Sequence, residues 1–121
     1  AGDRKVSIMG VSRGGGLITI VEIDGFHANI VGQSYLLLIL AEDIPGSIAL
    51  ITTPIAHDGC NVATLIVTRR ARQKDAKLIF ELDDPLKPET LDHLKRLHWV
   101  KEVVYIPKEE LEVSTDATEL T

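Results

Sequence analysis

The residues best placed to do chemistry lie in two short stretches, Asp43-Ile44-Pro45-Gly46-Ser47-Ile48 and Gly59-Cys60-Asn61. Pro45 fixes its own φ and pushes Ile44 out of the α region, so the chain turns sharply there. Gly46 lets backbone approach whatever lies above it. A helix that opens at such a turn presents unpaired N–H groups and the positive end of its dipole, which suit a carboxylate. Asp43 can accept from an α-ammonium group. Asn61, starting the neighbouring strand, is expected to reach the same spot. Together they would grip a free amino acid at both ends. The candidate ligand-binding set is Asp43, Ile44, Gly46, Ser47, Ile48 and Asn61. The plain alternative is a capped turn, with Asn61 satisfying backbone.

Other groups carry weaker signals. Gly14-Gly15-Gly16 would suit a phosphate cradle only if a helix followed; a strand pattern follows instead, so a bulge or tight bend is expected. Arg13 beside it is a possible anion contact. Cys60 reads as a small buried filler. His27, His57, His93 and His98 show no zinc-ligand spacing paired with cysteines, so no metal is expected. No nucleophile–base pair is visible, so no catalytic residue is assigned. Arg69, Arg70, Arg72 and Lys74 either face an acidic partner or form a solvated hairpin loop.

The elements that must position these groups follow from periodicity. Val6 to Val11 reads as a strand. Leu17, Thr19, Val21 and Ile23 alternate with Ile18, Ile20 and Glu22, which is strand spacing. Asp24-Gly25 is a two-residue hairpin turn, and Phe26 to Ile30 its return strand. Tyr35 to Ala41 is an apolar run of buried-strand length, too short to cross a membrane. A helix is expected from the Pro45-Gly46 turn to about Asp58, with Ile48, Ile51 and Ile55 as its apolar stripe and Asp43 or Ser47 as its cap. Gly59 suits the left-handed residue that ends it. Pro54, inside that helix, costs roughly 3 kcal/mol and predicts a kink or break near Leu50. Asn61 to Thr68 is a β-branched strand. Leu78, Phe80 and Leu82 alternate with Ile79, Glu81 and Asp83 in a half-buried one. Pro88 opens a second helix with Leu91, Leu94 and Leu97 inward. Val100, Val103, Val104 and Ile106 supply the last strand. The order βαββαβ predicts an α+β, ferredoxin-like fold, a four-stranded antiparallel sheet with two helices on one face, preceded by a short β-hairpin segment.

Composition narrows the classes. The chain has 121 residues, 45% hydrophobic and 26% charged, ordinary values for a globular protein. Net charge is −5, from 18 acidic and 13 basic residues, which argues against binding a phosphate backbone, so no nucleic-acid partner is expected. No apolar run has spanning length, so no membrane partner is expected either. The single cysteine precludes an internal disulfide framework and fits a reducing, cytoplasmic setting. RNA recognition would need exposed aromatics on the central strands, and only Phe80 is available, on the core face. A metal chaperone would need a Cys-x-x-Cys pair. Ala1-Gly2-Asp3 lacks an initiator methionine, and residues 1–33 read as the β-rich end of a longer preceding domain.

The turn Asp43-x-Pro45-Gly46, the spacing to Gly59-Cys60-Asn61-Val62-Ala63 and the strands to Pro107 resemble the ACT domain, the small regulatory module of amino-acid metabolism. The resemblance implies 34–107 as that domain and 108–121 as a polar C-terminal tail. Gly10-Val11-Ser12-Arg13-Gly14-Gly15-Gly16-Leu17-Ile18, followed by Glu22-Ile23-Asp24-Gly25-Phe26, resembles the segment before the ACT domain in the beta subunit of iron–sulfur-dependent L-serine dehydratase. There it ends the allosteric substrate-binding domain. Long phosphoglycerate dehydrogenases share the Glu-Ile-Asp-Gly-Phe part; the three glycines favour the dehydratase. The resemblance implies an amino-acid-sensing or dimerising region of an enzyme that converts L-serine to pyruvate and ammonia. A homodimer through the ACT sheet is then expected, with Tyr35 to Ala41 or the strand from Asn61 as the pairing edge. So are a catalytic alpha subunit or domain as partner, L-serine as a possible ligand, and a 4Fe-4S cluster in that separate catalytic part. ACT domains that bind serine carry a polar residue at the end of the first strand, where this chain has Ala41. A phosphoglycerate dehydrogenase tail and a ligand-free dimerisation module are the alternatives.

Overall fold

The structure is a computed structural model that describes residues 6–12, 18–31, 34–69, 74–111 and 118–120. The chain divides into two units, Ala1–Ser34 with Ile106–Thr121, and Tyr35–Tyr105.

The first unit is a sheet in the order β3-β2-β1-β8, from β1 (Val6–Ser12), β2 (Ile18–Ile23), β3 (Phe26–Val31) and β8 (Thr118–Leu120). Asp24 (φ 50) and Gly25 (φ 83) both take positive φ, as a type I′ hairpin turn requires. Buried Ile18 and Ile20 share one parity, but buried Ile23 has the other. A register shift between Ile20 and Glu22 flips the strand, which simple alternation does not anticipate. Gly10 follows a second irregularity; a Cβ there would meet Ile18 Cγ2 at 2.7 Å. Within the stretch read as a polar tail, Lys108–Leu111 form a short helical turn α3 and Thr118–Leu120 form β8. β8 pairs antiparallel with Val6 to Ile8, satisfying backbone groups that the edge of β1 would otherwise leave open.

The second unit has the order βαββαβ: β4 (Tyr35–Glu42), α1 (Ser47–His57), β5 (Val62–Arg69), β6 (Asp75–Leu82), α2 (Pro88–Arg96) and β7 (Val100–Ile106). Its sheet runs β5-β6-β4-β7, the ferredoxin-like arrangement, with β6 antiparallel to both neighbours. β4 therefore lies between β6 and β7. It is not an edge, which corrects one of the two expected pairing edges; β5 and β7 are the outer strands. The core cluster joins Leu37 and Ile39 of β4, Leu78 and Phe80 of β6, Ile51 and Ile55 of α1, Leu94 of α2 and Trp99. Each large apolar side chain buried here contributes roughly 1.5–3 kcal/mol. Leu36, Leu38, Ile79 and Glu81, of opposite parity, are buried as well, so β6 is not the half-buried strand that its alternation implies.

The inner stripe of α1 is Ser47, Ile51 and Ile55, spaced by four, while Ile48 is 43% exposed. Helix α1 runs unbroken through Pro54, contrary to the expected break. The hydroxyls of Thr52 and Thr53 donate to the carbonyls of Ile48 and Ala49 at 2.9 and 2.7 Å. Leu50, whose carbonyl loses its partner to Pro54, is 53% exposed, so water can satisfy it. Gly59 ends the segment at φ 72.

Candidate functional site

Ile44, Pro45, Gly46 and Ser47 form one turn, closed by Ser47 N–H donating to the Ile44 carbonyl at 3.2 Å. Gly46 sits at φ 80, ψ −2. Proline second and left-handed glycine third is the type II pattern. Gly46 is also the residue that caps α1, and no side chain caps the helix. Neither Asp43 nor Ser47 plays that part, which corrects the expected cap. The first intrahelical bond is Leu50 N–H to the Gly46 carbonyl, 3.0 Å. The amides of Ile48 and Ala49 precede it and have no acceptor one helical turn back. They emerge at the positive end of the helix dipole.

Asp43 points elsewhere. Its Oδ2 accepts from Arg69 Nη1 at 2.9 Å, at the far end of β5. Its backbone N–H donates to the Lys74 carbonyl. Asp43 and Ile48 flank the Ile44–Ser47 turn along the chain, with the Asp43 carboxylate directed to Arg69.

Asn61 is not among them. The helix crossover makes β5 run the same way as β4, so β5 starts where β4 starts. Val62 and Tyr35 both stand opposite Leu82, whereas Arg69 and Ala41 both stand opposite Ala76. At about 3.3 Å per strand residue, Asn61 lies roughly 26 Å from the Arg69 end. It is engaged locally: its Nδ2 donates to Asp83 Oδ2 at 2.7 Å and its N–H to Asp84 Oδ2 at 3.1 Å. The expectation that Asn61 reaches the turn within one chain is corrected by this topology. Arg13 and the Gly14–Gly16 bend lie outside the described residues, as do Arg70 and Arg72.

Cys60 is buried, and its thiol donates to the Asp84 carbonyl at 3.0 Å. Burial pushes its pKa up, and the carboxylates of Asp84, Asp58 and Asp83 add to that, outweighing a lowering contribution from the Asp84 backbone. Among the described residues no group of three or more His, Cys, Asp or Glu could hold a metal. A 4Fe-4S cluster needs several thiolates, and this sequence has one cysteine, so its residues do not fit one. Among them, too, no helix is long and apolar enough to cross a membrane.

Sequence reasoning missed two arrangements. One is the Asp43–Arg69 pair, whose members are 26 positions apart and carry no local signal. The other is an open groove of about 340 Å³ between the end of α1 and the start of α2, lined by Thr53, Pro54, His57, Asp58, Glu89, Thr90 and His93. Asp58 bridges it, accepting the Lys87 N–H at 3.0 Å and the Thr90 hydroxyl. Burial alone would raise the Asp58 pKa. The Lys87 amide, the Thr90 hydroxyl and the charges of Lys87 and His57 outweigh it and hold the carboxyl below its ordinary value.

No protein-family model matches the chain. In sequence it is similar to a probable L-serine dehydratase beta chain and to D-3-phosphoglycerate dehydrogenases. It is 29% identical over 102 residues to the probable L-serine dehydratase beta chain of Bacillus subtilis, covering 84% of this chain and 46% of that one. It is 29% identical over 96 residues to the D-3-phosphoglycerate dehydrogenase of Synechocystis sp., covering 79% of this chain and 17% of that one. The dehydrogenase of Archaeoglobus fulgidus is 28% identical over 89 residues, with coverage of 72% and 17%. The chain thus spans less than half of each. All three matches are longer than Tyr35–Tyr105 and so extend into the first unit. Among solved structures, the ACT domain from GTP pyrophosphokinase of Chlorobium tepidum aligns with TM-score 0.48 and 17% identity, over 60% of this chain and 84% of that one.

Proposed function

We propose that the second unit is a regulatory module that binds a small free amino acid and pairs with a second copy through β5, within an L-serine dehydratase. The parent enzyme would convert L-serine to pyruvate and ammonia in a catalytic subunit or domain separate from this region. The observation that supports the reading is the turn at Gly46: two helix amides without acceptors open α1 five and six positions after Asp43. The amides suit a carboxylate and Asp43 suits an ammonium. β5 is an outer strand, and two antiparallel β5 edges would set the start of one beside the end of the other. Asn61 of a second copy would then meet the Asp43 end, completing a set that one chain cannot assemble. The equal identity to D-3-phosphoglycerate dehydrogenases supports the regulatory tail of such a dehydrogenase as the second reading.

Calorimetric titration of the chain with L-serine and the other proteinogenic amino acids tests the proposal, with sedimentation run in parallel. Saturable heat that weakens in Asn61→Ala, together with a dimer, is the expected result. No heat with any amino acid overturns the sensing role and leaves a ligand-free pairing module.

A further inference from the structure

Resting on the amino-acid site just proposed, we infer that Arg69 is its charge-exchange gate, holding Asp43 while the site is empty and passing to the ligand's carboxylate when the ammonium takes Asp43. Arg69 Nη1 lies 2.9 Å from Asp43 Oδ2, so the carboxylate meant for an ammonium already holds a cation. The two sides of that pair differ in freedom. The Asp43 side chain is 31% exposed, and its backbone is fixed by the bond to the Lys74 carbonyl. The Arg69 side chain is 64% exposed, on a long stem, and makes one nitrogen contact. An exposed, single-contact pair trades partners readily. When it is displaced, the guanidinium moves and the carboxylate stays. Two other acids lie at this end of the sheet: Asp75 is already paired with Lys101 at 2.8 Å, and Glu42, opposite Asp75, lies within the field of the same lysine.

Charge balance sets the ligand class. An amine alone would displace Arg69 and leave a guanidinium with no anion. A carboxylate alone would draw Arg69 from Asp43 and leave that acid unpaired. A zwitterionic α-amino acid exchanges one ion pair for two. The gate therefore admits molecules that carry both charges on neighbouring atoms and disfavours simple amines and acids, whatever their size.

The test is calorimetric titration of the full chain with L-serine, ethanolamine and glycolate, for the wild type, Arg69→Gln and Arg69→Lys. Arg69 is exposed, and the single tryptophan reports that each variant is folded. Arg69→Gln is expected to weaken L-serine about tenfold, the usual worth of one charge-assisted hydrogen bond, and to bring L-serine and ethanolamine closer in affinity. Arg69→Lys keeps the charge, and one nitrogen suffices, so it is expected to retain most of the affinity. Two results overturn the gate and leave the sensing role standing: Arg69→Gln binding L-serine as well as or better than the wild type, or Arg69→Lys losing as much as Arg69→Gln. A wild type that binds no amino acid overturns both.

Discussion

Replacing Asp58 with alanine removes the acceptor of the Lys87 N–H at the start of a helix 30 positions further along. The Lys87 N–H, which opens α2 without a side-chain cap of its own, loses its acceptor at 3.0 Å. Loss of such a cap costs about 1 kcal/mol. Thr90 is 8% exposed, so its hydroxyl loses a partner where water reaches it poorly, adding about 1 kcal/mol. The total of about 2 kcal/mol lowers the melting temperature of a unit this size by roughly 10 °C. Asp58→Asn keeps one acceptor oxygen and should lose about half of that. The carboxyl's pKa is depressed in the fold, so its contribution is full above the ordinary value of 3.8 and disappears as pH falls through the lower folded value. Trp99, the single tryptophan, is 5% exposed in the core of this unit and reports its unfolding in urea. Measured at pH 7 and then down to acid, the gap between wild type and Asp58→Ala should stay constant above the ordinary value and close below the folded one. A gap at pH 7 within the ±0.5 kcal/mol of an ordinary surface change would refute the capping role.

Two further outcomes are expected. Pro54→Ala restores an N–H one turn after the Leu50 carbonyl in a helix that is already continuous, and should raise stability by about 1 kcal/mol in the same urea experiment. Cys60 is buried with a raised pKa, so thiol-reactive dye at neutral pH should label it far more slowly than free cysteine and at full rate only in denaturant.

The legible part of the fold was local. Strand periodicity, Asp24-Gly25, Pro45-Gly46, Gly59 and Pro88 each act within a few residues, and each marks an element boundary that the structure shows. The illegible part depended on partners far along the chain. The parity flip between Ile20 and Glu22 accompanies irregular pairing with both β1 and β3, and β8 pairs along the edge that β1 offers it. Helix α1 runs on through Pro54, and the one carbonyl left without its helix partner belongs to exposed Leu50, a detail that a proline penalty does not contain. At the candidate site the turn was readable from Pro45-Gly46. The Arg69 contact and the remoteness of Asn61 follow from strand direction, which residue types alone do not give.

The pairing of β8 with β1 bears on the order of events in folding. Ile8 and Thr118 meet across more than a hundred residues of chain, a contact that a disordered polymer closes slowly. Tyr35 and Tyr105, however, stack with ring centroids 6.3 Å apart, so the stretch between them begins and ends at nearly one point. Once that stretch has formed, it short-circuits most of the intervening polymer and lowers the closure entropy by about 1 kcal/mol. The outer seam is thus set to zip last, on a chain already made effectively short.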